Sequence, residues 1–401
     1  MQTELAAFIR DTPEGREAEV ILRKCVHCGF CTATCPTYQL LGDELDGPRG
    51  RIYLVKQVLE GAAPTARTQL HLDRCLTCRA CETTCPSGVR YGRLADIGRG
   101  IVEARVPRSP GQRAKRAALA FALPRRRLFG ALLGLGRLLR FLAPRLVPAP
   151  PAPAGDWPAP RHARRMLVLA GCVQPALAPR INAAAARVLD RIGVSLIEAP
   201  GAGCCGALRY HLNDQDAGLD DMRALIDAWW PSVARGEIEA IVMTASGCGV
   251  TVKEYGHLLA HDPAYRDKAA RIAALTRDLS EVIAPEAIAE RSGLGHIAFH
   301  APCSLQHGQQ LRGGAERLLA RAGFTLTPVP EAHLCCGSAG TYSILQPVLA
   351  AELRGRKLAA LQSGQPVGIV TANIGCLVHL QAGAGVPVAH WVELLDEALQ
   401  G

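Results

Sequence analysis

The sequence has 401 residues, of which 49% are hydrophobic, and a chain of this size accommodates two or three folded domains. It contains sixteen cysteines but begins with acidic residues and no apolar run, which argues against a secreted protein held together by disulfides. The net charge of +9 is concentrated in one segment, because thirteen Arg and one Lys between Arg105 and Arg165 are accompanied by a single acid, Asp156.

The first domain is expected over residues 1–100, with a short helical lead-in at 1–24 followed by two cysteine runs. CVHCGFCTATCP (25–36) and CLTCRACETTCP (75–86) both have the spacing C-x₂-C-x₂-C-x₃-C-P. In bacterial ferredoxins this spacing places three cysteines on one cluster and the fourth on the neighbouring cluster. We therefore predict a helical, ferredoxin-like domain with two [4Fe-4S] clusters. Their ligands would be Cys25, Cys28, Cys31 and Cys85 for one cluster, and Cys75, Cys78, Cys81 and Cys35 for the other.

A structural zinc site is the main alternative for these two runs. Zinc usually takes two C-x-x-C pairs separated by a longer loop, so it would leave the third cysteine of each run without a role. Basic residues flank both runs. They would either raise the reduction potentials of the clusters by stabilising the reduced core, or simply be solvated, and the sequence leaves these two alternatives open. These residues are Lys24, His27, Arg74, Arg79 and Arg90.

Residues 101–165 form the basic segment. Within it, PRRRLFGALLGLGRLLRFLAPRLV (124–147) alternates leucines with arginines at 125–127, 137, 140 and 145. As a helix it would lay an apolar face against lipid headgroups, or else pack on the protein with its arginines solvated. Nucleic acid is a poorer partner, because few aromatic side chains are available to stack on bases. Six prolines at 147–165 predict a linker.

Beyond the linker, the pattern predicts an α/β fold built twice, over residues 166–290 and 291–401. Short buried strands are expected within 165–172, 194–200 and 240–246, with helices at 180–191 and 216–230 between them. The same order recurs with strands within 296–303, 324–330 and 367–373. Both halves contain a Cys-Cys-Gly, and TASGC (244–248) is echoed by TANIGC (371–376), so we predict an internal duplication. No run of 18 uncharged apolar residues occurs, so no membrane-spanning helix is expected.

Each half supplies four cysteines that follow predicted strands, where open α/β sheets bind ligands. GAGCCG (201–206) also matches a dinucleotide-binding glycine pattern, but the second half keeps only the Cys-Cys-Gly, so the thiol pair is the repeated element. This arrangement is compatible with two alternatives. The cysteines of each half bind a further cluster or metal ion, or they form a scaffold of buried thiols. The residues concerned are Cys172, Cys204, Cys205 and Cys248 in the first half, and Cys303, Cys335, Cys336 and Cys376 in the second.

The spacing in each half resembles the Cys-Cys-Gly domains of heterodisulfide-reductase-type proteins, which hold unusual iron–sulfur clusters. The sequence departs from that family at the last cysteine of the motif, which is replaced by Thr251 in the first half and by His379 in the second. The departure argues against disulfide chemistry.

Over nearly the whole chain outside 105–165, the sequence resembles the iron–sulfur subunit of bacterial glycolate oxidase, also called glycolate dehydrogenase. The resemblance is carried by CVHCGFCTATCPTYQLLGDELDGPRGRIYLVKQVLEG, LDRCLTCRACETTCPSGVRY, AGCCGALRYHLN, TASGCG, HLCCGSAGTY and TANIGC. It implies a cytoplasmic subunit, peripherally associated with the inner membrane. That subunit would work beside an FAD-containing subunit, where glycolate is oxidised to glyoxylate, and a further flavoprotein-like subunit, with electrons passing to a respiratory acceptor such as quinone.

This resemblance fits the residues, because the chain has cluster ligands and no convincing flavin site of its own. We therefore expect an electron relay without a catalytic residue for 2-hydroxy-acid oxidation. Three alternatives remain at this stage: a subunit of a related lactate or glycerol-3-phosphate dehydrogenase, a heterodisulfide-reductase-like enzyme acting on a disulfide or a quinone, and a structural zinc protein.

Overall fold

The computed structural model describes residues 1–141 and 150–400. A helical N-terminal part precedes two α/β halves, so the predicted combination of a helical ferredoxin-like domain and a duplicated α/β domain is confirmed. The predicted segment 124–147 is described as far as Phe141, and Arg145 lies outside the described residues.

The helices of the N-terminal part start where the sequence provides caps. The Thr12 side chain accepts a hydrogen bond from the Gly15 amide, with Pro13 in the first helical position. Pro36 and Pro48 likewise open their helices. Helix α7 continues five residues beyond the boundary expected at residue 100. The helices are α1 Ala7–Arg10, α2 Pro13–Lys24, α3 Pro36–Leu41, α4 Pro48–Leu59, α5 Ala66–Asp73, α6 Ala80–Thr84, α7 Tyr91–Arg105, α8 Pro110–Ala122 and α9 Arg126–Leu138.

The first α/β half contains a four-stranded parallel sheet in the order β2-β1-β3-β4. Of its two central strands, one is a run of four buried apolar residues, AIVM, and the other ends in three, MLV, as expected for strands covered by helices on both faces. Helix α11 has the bounds predicted from the sequence, and β4 is a three-residue strand that the sequence did not predict. The elements are β1 Arg164–Val168, α10 Gln174–Leu177, α11 Arg180–Arg191, β2 Val194–Glu198, α12 Ala207–His211, α13 Gln215–Ala234, β3 Ala240–Met243, α14 Ser246–Lys253, α15 Tyr255–Leu258, α16 Arg266–Leu275, β4 Thr276–Asp278 and α17 Leu279–Val282.

The second half repeats this topology, with a parallel sheet in the order β6-β5-β7-β8. The repetition confirms the internal duplication predicted from the sequence. A π-helical turn at Ser304–Gly308 follows β5. The other elements are β5 His296–His300, α18 Gly314–Arg321, β6 Thr325–Leu326, α19 Tyr342–Leu345, α20 Pro347–Gln362, β7 Gly368–Thr371, α21 Ile374–Gln381, β8 Val388–His390 and α22 Trp391–Gln400.

The two halves pack on one shared apolar core. It combines residues of β1, β3 and α11 with residues of β5, α18 and α22. Polar contacts join the same two halves: Ser246 and Ser304 approach through their hydroxyls at 2.8 Å, and His390 Nε2 lies 2.9 Å from the Thr244 carbonyl oxygen. The halves therefore form one unit rather than two independent domains.

The N-terminal part docks on both halves through buried polar contacts. Arg79 forms a bidentate ion pair with Glu254 of the first half. The Tyr342 hydroxyl of the second half donates to the Arg74 carbonyl oxygen at 3.2 Å. Described residues of the proline-rich linker, 150–161, carry no helix or strand, and Trp157 donates its indole N–H to the Leu196 carbonyl of β2.

Candidate iron–sulfur centres

The two ferredoxin-type cysteine runs adopt matching loop conformations. Two residues of each run have a left-handed backbone. They are His27 and Gly29 in the first run and Thr77 and Arg79 in the second, which are two and four positions after the first cysteine. Three of these four are not glycine, and a left-handed conformation is costly for such residues. Backbone strain of this kind is concentrated at functional sites, where the surrounding structure maintains it.

Besides Cys81, four cysteines line a cavity of about 420 Å³ near the protein surface, here called the outer cavity. Their thiols come from the first three cysteines of run 25–36 and from the last cysteine of run 75–86. Cys28 is exposed, whereas Cys25 is buried on the helical core. The four residues are Cys25, Cys28, Cys31 and Cys85.

A second cavity of about 360 Å³ lies deeper in the protein and is here called the inner cavity. It is lined by the converse set of cysteines, Cys35, Cys75, Cys78 and Cys81, and Cys81 also lines the outer cavity. The structure thus brings the sequence-predicted residues together in the interleaved arrangement that the spacing suggested.

The thiols that line the inner cavity differ in their electrostatic surroundings. Burial raises the pKa of the Cys78 and Cys81 thiols, and neighbouring thiols raise it further. Burial also opposes ionisation of Cys75, but the positive charges of Arg51 and Arg99 outweigh it, so the pKa of Cys75 is lowered. The Thr77 amide donates to the Cys75 sulfur at 3.4 Å. At Cys75, this amide and these charges stabilise the thiolate, the form in which cysteine binds iron.

Arg51 and Arg99 were not recognised from the sequence. Arg51 is 1% exposed and donates to the His71 carbonyl, to Thr37 and to Asp46. Arg99 donates to the Leu72 and Cys75 carbonyls. Arginine on the apolar faces of α4 and α7 is the signal that could have revealed them, because an arginine on a buried helix face requires partners.

The basic residues that the sequence did single out have varied surroundings. Arg74 pairs with the buried Asp46 at 2.8 Å, and Arg79 pairs with Glu254, so neither is simply solvated. Lys24 and Arg90 are exposed. His27 is partly buried, and desolvation followed by the charge of Arg49 lowers its pKa.

In each α/β half, the four cysteines form a continuous chain of thiol contacts. In the second half Cys303 and Cys335 lie 3.8 Å apart, and Cys336 bridges Cys335 and Cys376. In the first half the corresponding order is Cys172, Cys204, Cys205 and Cys248. The residues that replace the family's last cysteine do not join these chains: Thr251 donates to the Gly247 carbonyl, and His379 Nε2 lies 3.2 Å from the Ala350 carbonyl.

The second half packs its thiols against residues that line the inner cavity. Cys335 is buried in an apolar cluster with Leu76 and Tyr342, against which Cys78 and Cys303 pack. A basic side chain accompanies these thiols, because buried Lys357 donates to the Glu331 and Ala332 carbonyls beside Cys335. The two groups of cysteines therefore lie next to each other in the folded chain.

Fold and cysteine geometry define an iron–sulfur protein, and comparison with known proteins agrees. Residues 21–89 match the 4Fe-4S dicluster domain family, and residues 166–253 and 297–381 both match the cysteine-rich domain family. The chain belongs to the family of glycolate oxidase iron–sulfur subunits. It is 55% identical to the glycolate oxidase iron-sulfur subunit of Escherichia coli (strain K12), over 100% of both chains.

More distant relatives share the same architecture in whole or in part. A probable glycolate oxidase iron-sulfur subunit of Bacillus subtilis (strain 168) is 30% identical over 94% of both chains. Lactate utilization protein A of Geobacillus kaustophilus is 24% identical over 54% of this chain and 92% of its own length. Within 1–141 and 150–400, none of the helices combines the length and apolar character needed to cross a bilayer.

Proposed function

We propose that this chain is the electron-transfer subunit of a membrane-associated glycolate dehydrogenase. Its ligands would be Cys25, Cys28, Cys31 and Cys85 for an outer [4Fe-4S] cluster, and Cys75, Cys78, Cys81 and Cys35 for an inner one. The observation that carries the proposal is the interleaving of the two runs around two neighbouring cavities. Bound there, the clusters would supply one-electron carriers.

A partner subunit carrying FAD would perform the oxidation itself. Conversion of glycolate to glyoxylate releases two electrons and two protons, which a flavin accepts together and can pass on singly. This chain would contribute binding, orientation and charge around the carriers. A further flavoprotein-like subunit would complete the complex.

The exposed rim of the outer cavity is the surface that we assign to the FAD-containing partner. Val26 is 67% exposed and Phe30 61%, and both line the outer cavity with the exposed Cys28. Tyr53 is 45% exposed and lies edge-on to the His27 ring of the same cysteine run. Apolar and aromatic side chains at the surface are typical of protein interfaces. Electrons would enter at this rim and continue toward the inner cavity, and from there to quinone or another respiratory acceptor.

The proposed membrane contact is made by helix α9 and the residues that follow it. No residue of α9 is buried, and Leu135, Leu138 and Phe141 are 55%, 74% and 75% exposed. Arg125, Arg126 and Arg127 are exposed at its start. An apolar face flanked by arginines suits peripheral binding to anionic lipid.

The relay role is tested by replacing Cys28 with Ser in the complex co-expressed with its partner subunits. We expect glycolate still to bleach the flavin, while glycolate-driven reduction of quinone or dye is lost. Ser87→Ala is the matched control, because Ser87 lines the same cavity without being a proposed ligand. Full quinone reduction by the Cys28→Ser complex would contradict the proposal.

One observation favours a second candidate, a subunit for lactate oxidation: the chain resembles lactate utilization proteins over about half of its length. Bleaching of the flavin in the same co-expressed complex distinguishes glycolate from lactate as the substrate. Bleaching of the flavin by glycolate and not by lactate supports our proposal, and the converse preference would assign the chain to lactate oxidation.

A further inference from the structure

Three potential metal-ligating side chains converge in the core of the second half. They are His300 at the end of β5, Cys336 of the Cys-Cys-Gly and Cys376 on α21, and their ligand atoms all lie within 4.8 Å of one another. All three residues are buried, at 2%, 0% and 5% exposure. They come from three separate segments, so the fold rather than a local motif brings them together.

The imidazole of His300 is oriented for such a role. Its Nδ1 lies 3.0 Å from the Thr371 hydroxyl on the neighbouring strand β7. Its Nε2 is buried and has no hydrogen-bond partner among the described residues. With Nδ1–H donating to Thr371, Nε2 carries the lone pair that a metal ion requires. A buried nitrogen left without a partner is costly, and a metal ion would remove that cost.

The first half provides an internal comparison in which this arrangement is absent. In the aligned segments RMLVLAGC and HIAFHAPC, Leu169 occupies the position of His300. Met243 at the end of β3 corresponds to Thr371 on β7. Two apolar side chains thus replace the imidazole and its hydrogen-bond partner, although Cys205 and Cys248 keep the positions of Cys336 and Cys376. The additional ligand is specific to the second half.

The adjacent cysteines of the second half also divide between two environments. Cys335 packs with Cys303 and Cys78 against the N-terminal part. Cys336 and Cys376 belong instead to a cluster within the second half, together with Ala298 and Leu380. One thiol of the pair therefore packs beside Cys78 of the N-terminal part, while the other lies near His300.

We propose that His300, Cys336 and Cys376 bind one zinc ion, separate from the iron–sulfur centres. Two thiolates and one imidazole are a ligand set that suits this borderline-soft divalent ion. Binding replaces the two thiol protons with Zn–S bonds, so two protons are released while the imidazole stays neutral. This proposal does not depend on the substrate of the complex.

The test is zinc analysis of the anaerobically purified full chain, supplied with Zn²⁺ and dialysed, with zinc-edge X-ray absorption to identify the ligands. We expect about one zinc per chain, with sulfur at about 2.3 Å and nitrogen at about 2.0 Å. His300→Leu, which introduces the residue of the first half, should lose the dialysis-resistant zinc without losing iron. Thr371→Val should weaken zinc binding about 10–100-fold, because it removes the group that orients the imidazole.

Two controls separate this site from other sources of zinc. His296→Gln changes an exposed histidine at the start of the same strand, β5, so zinc should be retained. His300→Cys should retain zinc with sulfur scattering alone, which keeps the test valid if His300→Leu folds poorly. Unchanged zinc content in His300→Leu, an unchanged nitrogen signal in His300→Cys, or iron in place of zinc at these cysteines would overturn the proposal.

Discussion

Arg51 illustrates how single buried charges shape the inner cavity. It is enclosed by α4, the turn at Asp46 and the end of α5, and it donates to the His71 carbonyl at 2.7 Å. Asp46 also accepts from Arg74 at 2.8 Å and contacts His71. This network places positive charge beside Cys75, where it favours the thiolate. Arg51 therefore supports both the fold and the proposed cluster.

Replacing Arg51 with Met should destabilise the protein and impair its inner centre. Removing one partner of a buried ion pair typically costs about 3–5 kcal/mol, because the remaining charge stays buried. We expect the free energy of unfolding to fall by about this amount, measured by anaerobic denaturant titration, and the iron content to fall with it. Arg90→Gln removes an exposed arginine near the second run and should change neither quantity. Equal stability of the two variants would contradict this role for Arg51.

At the residue scale, local spacing revealed the cysteines, but not the side chains that surround them. The eight N-terminal cysteines were grouped by spacing alone, and the structure lines two cavities with the same two sets. Arg51, Arg99 and His300 were missed. Arg51 donates to His71, Arg99 donates to Leu72 and His300 contacts Thr371, which are 20, 27 and 71 residues away in the sequence, so only the folded chain shows these contacts.

At the element scale, helix α9 is the segment whose role depends most on its surroundings. Leu135 and Leu138 are exposed, and Arg137 donates to the Ala176 carbonyl at 3.2 Å, which holds α9 against the first half. The helix is thus attached on one side and apolar on another. This combination supports both readings of the sequence: α9 packs on the protein and still presents leucines outward.

The double substitution Leu135→Glu and Leu138→Glu should abolish binding of the complex to vesicles that contain anionic lipid. The added charges would remove the apolar contact and repel the headgroups. Co-sedimentation with anionic vesicles measures the loss. Val367→Glu is a suitable control, because Val367 is 65% exposed on the second half, far from α9 in the sequence. Undiminished sedimentation of the double variant would contradict the assignment of α9 to the membrane.

Elements with strong local signals were predicted well, whereas two of the short strands were not. Helix α11 was predicted with its observed bounds, because its apolar periodicity and flanking turns are clear. Strands β4 and β8 contain three residues each, too few for a hydrophobic pattern, and form because a neighbouring strand offers a free edge. The matched backbone conformations of the two cysteine loops also required the structure, since three of the four left-handed residues are not glycine.

At the scale of the whole molecule, the sequence revealed two repeated halves but not how they assemble. Their shared apolar core and their different contacts beside the inner cavity, an ion pair of Glu254 with Arg79 in the first half and packing of Cys335 against Cys78 in the second, are long-range features. This asymmetry gives the duplicated halves different surroundings. The groups of cysteines therefore follow one another from the exposed rim of the outer cavity, through the inner cavity, to the thiols of the second half.

The central claim is that interleaved cysteines hold two neighbouring [4Fe-4S] clusters, and electron paramagnetic resonance of the anaerobic full chain tests it most directly. We predict about eight irons and eight sulfides in these two centres, with signals that split each other when both are reduced. Cys28→Ser should leave a single, unsplit signal from the inner centre. Zinc in these cavities, or an iron-loaded chain without two interacting signals on full reduction, would contradict the account.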